Sequence, residues 1–260
     1  MERIWNTISD MNNDMKNIKT FNKIKKVCIY GNFKFSLPFN LTHLYCHNIQ
    51  LLNLPELPNT LTYLYYQFNE SSSLPNLPHT LTHLHCDYDE LSSLPNLPNT
   101  LTHLYCENNK LNNLPTLSHS LVDLHCPYNQ LSRLPTLPYT LTYLCCHNNK
   151  LSRLPTLPDT LTHLYCNGNK LSSLPTLPNT LTELICSDNP YNLWSDLIDT
   201  TQINIDFVEI IYEKLCLFND RVQEIQYGLS KNICYKYNKK IKQLTKKIQI
   251  VLNANYEINL

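Results

Sequence analysis

The 260-residue chain carries 21 basic and 21 acidic side chains, a formal net charge of zero, so no global field draws it to nucleic acid or to an anionic membrane. Three glycines against 16 prolines exclude a glycine-rich flexible chain, and no run approaches the ~18 apolar residues of a membrane span. Eleven cysteines would suit a secreted disulfide framework, but most recur at one fixed spacing, which argues for free thiols in a buried column.

Residues 1–23 read as an N-terminal helical cap. Ile4, Ile8, Met11, Met15 and Ile18 succeed one another at the spacings of a single amphipathic stripe. The opening Met1-Glu2-Arg3-Ile4-Trp5-Asn6 lacks the apolar stretch of a signal peptide, so an intracellular, reducing compartment is expected, the cytoplasm of a cell or host.

From residue 24 the chain is periodic. Residues 24–40 hold a degenerate first copy, with Ile24, Val27, Ile29 and Asn32 at the same offsets as in the full copies and a single Leu37-Pro38. Residues 41–180 contain full copies beginning at Leu41, Leu61, Leu81, Leu101, Leu121, Leu141 and Leu161, twenty residues apart without insertion. A last copy, 181–193, fades after Asn189 and Pro190. A period of this length means a stack of supersecondary units that bury a core only between neighbours.

Each copy contains Leu-Thr-x-Leu-x-Cys, whose alternation predicts a short strand with one buried face. In Leu101–Cys106, Leu104 and Cys106 point inward, and His103 and Tyr105 outward. Identical units stacked in one direction make about nine parallel strands, spaced ~4.8 Å. The return path, Leu-Pro-x-Leu-Pro, has two prolines three residues apart; it cannot be helical and favours extended polyproline-like chain. Asn69, Asn109, Asn129, Asn149, Asn169 and Asn189 fall where the chain leaves the strand, and a buried amide there can satisfy the backbone of adjoining turns. Asp89 keeps an acceptor in that column; Ile49 cannot.

Residues 194–260 read as a C-terminal helical hairpin cap. One stripe runs Phe207, Ile211, Leu215, Phe218, Val222, Ile225, Leu229, opened by Asp206 with Glu209 three residues on, an N-cap with capping-box spacing. A second runs Ile233, Tyr237, Ile241, Leu244, Ile248, Val251. The first segment is acidic and the second rich in lysine, which favours antiparallel pairing, although exposed pairs add only about 0 to 1 kcal/mol each.

The motif LxxLxCxxNxLxxLPxLPxT over residues 41–193 resembles the leucine-rich repeat in its short twenty-residue form, as in bacterial effector proteins and the repeat proteins of large DNA viruses. The resemblance implies a right-handed solenoid of parallel strands with an extended convex side and helical caps at both ends. It also implies a concave, strand-lined face used for binding, and a host protein as partner.

The content of that face is biased toward rings. One outward column reads His43, Tyr63, His83, His103, Asp123, Tyr143, His163, Glu183, and the next Tyr45, Tyr65, His85, Tyr105, His125, Cys145, Tyr165, Ile185. Tyrosine supplies rigid contact area with a polar end, which suits protein recognition. The partner-binding residues expected are Tyr45, Tyr63, Tyr65, His83, His85, His103, Tyr105, His125, Tyr143, His163 and Tyr165. The competing explanation is that Thr-His-Leu-Tyr-Cys was copied by duplication without a partner selecting it. Histidine titrates near 6.5, so a face this rich in imidazole is expected to respond to mild acid.

The expected function is a non-enzymatic protein-interaction scaffold with no cofactor and no nucleic-acid partner. Two alternatives compete with it. His83, His85 and His103, completed by Asp87, Glu107, Asp123 or His125, could form a zinc set, although a strand holds such rings parallel rather than tetrahedral. Cys186-Ser187-Asp188 matches the Cys-x-Asp nucleophile motif of effector ubiquitin ligases, but Cys186 falls in the buried column, so the repeat itself produces the match.

Overall fold

The computed structural model describes residues 2–5, 8–30, 36–49, 54–69 and 71–190. The chain divides into two units, Met1–Tyr191 and Asn192–Leu260, and the C-terminal hairpin expected over 194–260 lies outside the described residues. So does Asn32 of the first copy.

Among its described residues, the first unit holds one ten-stranded parallel sheet in sequence order. Its strands are β1 (Glu2–Trp5), β2 (Lys26–Ile29), β3 (His43–His47), β4 (Tyr63–Gln67), β5 (His83–His85), β6 (His103–Tyr105), β7 (Asp123–His125), β8 (Tyr143–Cys145), β9 (His163–Tyr165) and β10 (Glu183–Ile185). From β3 onward, each residue pairs with the one twenty positions later, as His83 does with His103 and His103 with Asp123. Alternation sets the faces: in β6 the central Leu104 is fully buried while His103 and Tyr105 are half-buried on the other side.

The core is a set of columns. Leu41, Leu61, Leu81, Leu101, Leu121, Leu141 and Leu161 have no exposed surface, and neither do Leu44, Leu64, Leu84, Leu104, Leu124, Leu144 and Leu164. Each such leucine contributes about 1.5–3 kcal/mol of apolar burial. Cys46, Cys86, Cys106, Cys126, Cys146 and Cys166 are equally buried, with Tyr66 substituting in the second full copy. None of the nine described cysteines is in a disulfide, and burial pushes the thiols of Cys86, Cys106, Cys126 and Cys146 well above the ordinary value.

Polar ladders close the backbone accounting. Asn129 Nδ2 donates to Cys106 O of the preceding turn at 2.8 Å and, within its own turn, to Pro127 O at 3.1 Å; its Oδ1 accepts from Leu111 N at 3.0 Å. Asn109, Asn149, Asn169 and Asn189 repeat the pattern. On the return side the prolines lead into a tight turn, closed by Leu101 N to Pro98 O at 3.0 Å. There Thr100 Oγ1 donates to Leu81 O at 2.8 Å, tying one turn to the one before it. Where the copy beginning at Leu101 has Ser118 in place of the second proline, Ser118 Oγ donates to Asn99 O at 2.8 Å instead.

Two features depart from the sequence expectation. The sheet has ten strands rather than nine, because Glu2–Trp5 pairs with Lys26–Ile29 and satisfies an edge that would otherwise expose unpaired backbone groups. The expected single N-terminal helix is therefore a strand followed by two short helices, α1 (Ile8–Met15) and α2 (Ile18–Phe21). Ile4, assigned to the helical stripe, is 58% exposed on β1, whereas Met11 is buried. An Arg3–Asp14 ion pair at 3.0 Å links β1 to α1.

Candidate functional site

The outward residues of the strands form a continuous ring array. Along the first column His43 stacks on Tyr63 (5.6 Å between centroids), Tyr63 on His83 (5.4 Å) and His83 on His103 (4.3 Å, 7° between planes). Along the second, Tyr45, Tyr65, His85, Tyr105 and His125 succeed one another, His85 and Tyr105 at 4.2 Å and 7°. Asp123 interrupts the first column and the small Cys145 the second. His125 bridges both gaps by stacking across onto Tyr143 at 4.6 Å, and Tyr143 continues to His163 and Tyr165. All the residues expected from the sequence to bind a partner thus fall into one array, its pitch set by the sheet. Such ring pairs add about 0.5–1.5 kcal/mol each beyond their area.

A polar network runs through the middle. Tyr63 Oη lies 3.0 Å from His85 Nε2, Tyr105 Oη donates to Asp123 Oδ2 at 2.8 Å, and His125 Nε2 is 3.0 Å from Asp123 Oδ1. Burial alone would raise the Asp123 carboxyl, but the hydrogen bonds from His125 and Tyr105 and the charges of His125 and His103 outweigh it and hold it below the ordinary value. Asp87, buried beside β5, accepts from Glu107 N at 2.8 Å and from the Gln67 side chain; burial pushes it up to about 6.

Burial acts on the imidazoles in the opposite sense. His85 is pushed down to about 4, by burial first and then by the neighbouring His83, His103 and His125. His43, His83 and His147 are also lowered, chiefly by burial. The acid response at these four positions therefore lies below the window expected from an ordinary histidine. For His85 the unfolded chain, with its ordinary imidazole near 6.5, takes the proton first. Its contribution to stability is present above pH 6.5 and lost as pH falls through about 4. Asp87 works against this loss, because its raised carboxyl stabilises the fold at low pH and loses that effect as pH rises through about 6. The His85→Phe variant should accordingly lose about 2 kcal/mol less stability than wild type between neutral pH and pH ~4, after allowance for solvent at its exposed edge. Chemical unfolding of both proteins across that range measures the difference, and equal slopes would show that His85 titrates normally.

The zinc set suggested by the sequence does not assemble. His83 and His103 stack with nearly parallel rings, and no group of three histidine, cysteine or acidic side chains among the described residues is placed to hold a metal ion. Cys186 is buried in the core column. A pair that sequence reasoning missed, Cys145 Sγ and His147 Nδ1, lies at 3.1 Å, yet burial pushes the thiol up to about 12 and keeps it protonated rather than nucleophilic.

No protein-family model matches the chain, and no curated protein does. Solved structures do match. YopM from Yersinia enterocolitica WA-314 is 35% identical with a TM-score of 0.58, covering 65% of this chain and 39% of its own. YopM from Yersinia pestis, described as a leucine-rich effector protein, is 27% identical at TM-score 0.53, covering 65% of this chain and 56% of its own. A Shigella effector leucine-rich repeat domain is 34% identical at TM-score 0.51, covering 58% of this chain, and this chain spans 70% of that domain. The chain belongs to the leucine-rich repeat family. It spans well under two thirds of either YopM, 39% and 56% of their lengths.

One leucine-rich repeat position escaped sequence reasoning altogether. The residue before the asparagine column adopts a left-handed conformation in every described turn: Asn48, Phe68, Tyr88, Asn108, Tyr128, Asn148 and Asp188 have φ between 49° and 57°, and Gly168 has 64°. This bend aims the residue's N–H at the next turn, as Tyr88 N to Glu107 O at 3.0 Å and Tyr128 N to His147 O at 3.1 Å. Asparagine, aspartate and glycine tolerate it; an aromatic residue costs about 1–2 kcal/mol there. Phe68, Tyr88 and Tyr128 nevertheless occupy it and remain 42%, 44% and 50% exposed, with Phe68 stacked on Tyr88 at 4.7 Å. The column mixes turn-formers, Asn48, Asn108, Asn148, Gly168 and Asp188, with the three aromatics, just outside the strand. Among the described residues no helix is long and apolar enough to cross a membrane.

Proposed function

We propose that this leucine-rich repeat protein is a non-enzymatic scaffold whose concave, strand-lined face binds a protein partner through the ring array from Tyr45 to Tyr165. The observation that carries this reading is the continuity of the array: its rings are half-buried and mutually stacked, and the fold, which is built by the inward leucine, cysteine and asparagine columns, does not require them. Rigid, pre-stacked aromatics lose little conformational entropy on binding. Central members, Tyr65, His85, Tyr105 and His125, are the expected dominant contacts. The effector names of the matched structures support a host protein as partner, and free cysteines throughout the described core accord with a reducing, intracellular setting.

Affinity capture from cell lysate tests this with the wild-type chain and a variant carrying Tyr65→Ala, Tyr105→Ala and His125→Ala. A circular-dichroism check of folding accompanies it, since the stacked pairs contribute about 1 kcal/mol each. Proteins retained by wild type and lost from the folded variant are the expected result. An unchanged set of captured proteins would place binding elsewhere.

A further inference from the structure

The zero net charge of the chain conceals a segregation of its charges. Between residues 41 and 190 the cations are Lys110, Arg133, Lys150, Arg153 and Lys170; each is exposed, and none lies on a strand. Carboxylates, by contrast, reach the binding face. Asp123 and Glu183 open β7 and β10, and Glu107 comes two residues after Tyr105, whereas Asp87, in the same place after His85, is buried.

The histidines add acceptors to these carboxylates. Thr82 Oγ1 donates to Thr62 O at 2.9 Å and lies 2.9 Å from His83 Nδ1. With that hydroxyl proton on the carbonyl, the imidazole Nδ1 is the donor, and in the neutral ring Nε2 is left as an acceptor. The same arrangement holds for Thr102 with His103 (3.0 and 2.8 Å) and for Thr162 with His163 (2.9 and 2.8 Å). A repeated threonine hydroxyl thus stands against Nδ1 along the column and leaves Nε2 facing outward for a partner's donor. The face from β3 to β10 therefore offers π surfaces, imidazole acceptors and carboxylates, and no arginine or lysine on its strands.

We infer that the segment docking on this face is basic, with arginine and lysine side chains laid along the ring array. Guanidinium and ammonium groups are donors without acceptors. They pair with carboxylates, and over a tyrosine face they gain the attraction of a cation for a ring quadrupole; arginine gains further by stacking its plane on the ring. An acidic or phosphorylated segment would meet repulsion from Asp123, Glu107 and Glu183 with no cation on β3–β10 to offset it; Lys26 stands at the edge of the array, on β2 beside His43. The inference rests on the concave face being the binding surface.

The test uses the full chain and four matched synthetic peptides, alternating glycine with arginine, lysine, serine or glutamate, monitored by fluorescence anisotropy at low and high salt. The arginine peptide should bind most tightly and the lysine peptide next, both weakening with salt; the serine and glutamate peptides should bind least. Glu107→Gln with Glu183→Gln should weaken the arginine peptide about tenfold. Glu56→Gln with Asp159→Asn, both exposed and off the strands, removes the same charge elsewhere and should leave affinity within about twofold. Absence of arginine-peptide binding, equal binding of the glutamate peptide, or equal losses in the two variants would overturn the inference. If the ring substitutions abolish capture from lysate while the arginine peptide fails to bind, the face takes a partner of different charge; if capture is unaffected by the ring substitutions, both readings fall.

Discussion

Replacing Asn129 with alanine should destabilise the protein by about 3 kcal/mol, although the residue touches no outward surface of the strands. Its amide joins two turns: Oδ1 accepts from Leu111 N at 3.0 Å, and Nδ2 donates to Cys106 O at 2.8 Å and Cys126 O at 3.3 Å. Alanine strands the Leu111 N–H in a buried setting, at a cost of about 1–3 kcal/mol, and leaves the Cys106 carbonyl with only the longer 3.3 Å bond from Asn109 Nδ2. Asn129→Asp should fall between, because aspartate keeps the acceptor and loses the donor, as Asp89 does when it accepts from Asn69 N. Urea unfolding of the three proteins measures the order. A loss below about 1 kcal/mol for alanine would mean that water replaces the amide at no net cost.

A cavity in the central strands should do comparable damage by a different route. Leu104 in β6 has no exposed surface and pairs in register with Leu84 and Leu124. Leu104→Ala should cost about 3 kcal/mol, within the usual 2–5 for a buried leucine. In a stacked array each unit contacts only its neighbours, so this loss weakens two interfaces and should let the two halves unfold separately. The expected signature is a lower midpoint with a shallower denaturant dependence. Leu184→Ala in β10 is the comparison: Leu184 is 7% exposed, and among the described residues β10 pairs only with β9. It should cost at least ~1 kcal/mol less and leave the transition's steepness intact. Equal effects would mean that the array melts as one cooperative body.

The period, the inward columns and the outward columns were all legible in the residues, because each depends on local alternation repeated at one spacing. Leu104 and Cys106 point inward, and His103 and Tyr105 outward, for no reason beyond the two-residue repeat of a strand. The asparagine ladder was legible for a similar reason, since a polar residue recurring among buried leucines must satisfy backbone. Strand β1 was not. Ile4 happens to stand at helical spacing from Ile8, and only the presence of an unpaired β2 edge makes strand pairing the better outcome for Glu2–Trp5. The left-handed position was hidden because Phe68, Tyr88 and Tyr128 carry no turn signal of their own; their neighbours impose the conformation.

By itself, then, the sequence determined the architecture and named the rings on the strand face, since both depend only on which residues alternate and how often. Only the tertiary structure decided what those rings are chemically. The 4.2 Å stack of His85 on Tyr105, the carboxylate of Asp123 held between Tyr105 and His125, and the imidazole lowered to about 4 at His85 all depend on groups that stacking brings within contact distance. A proton's position on an imidazole ring is set by such neighbours, and a linear chain does not say how close they come.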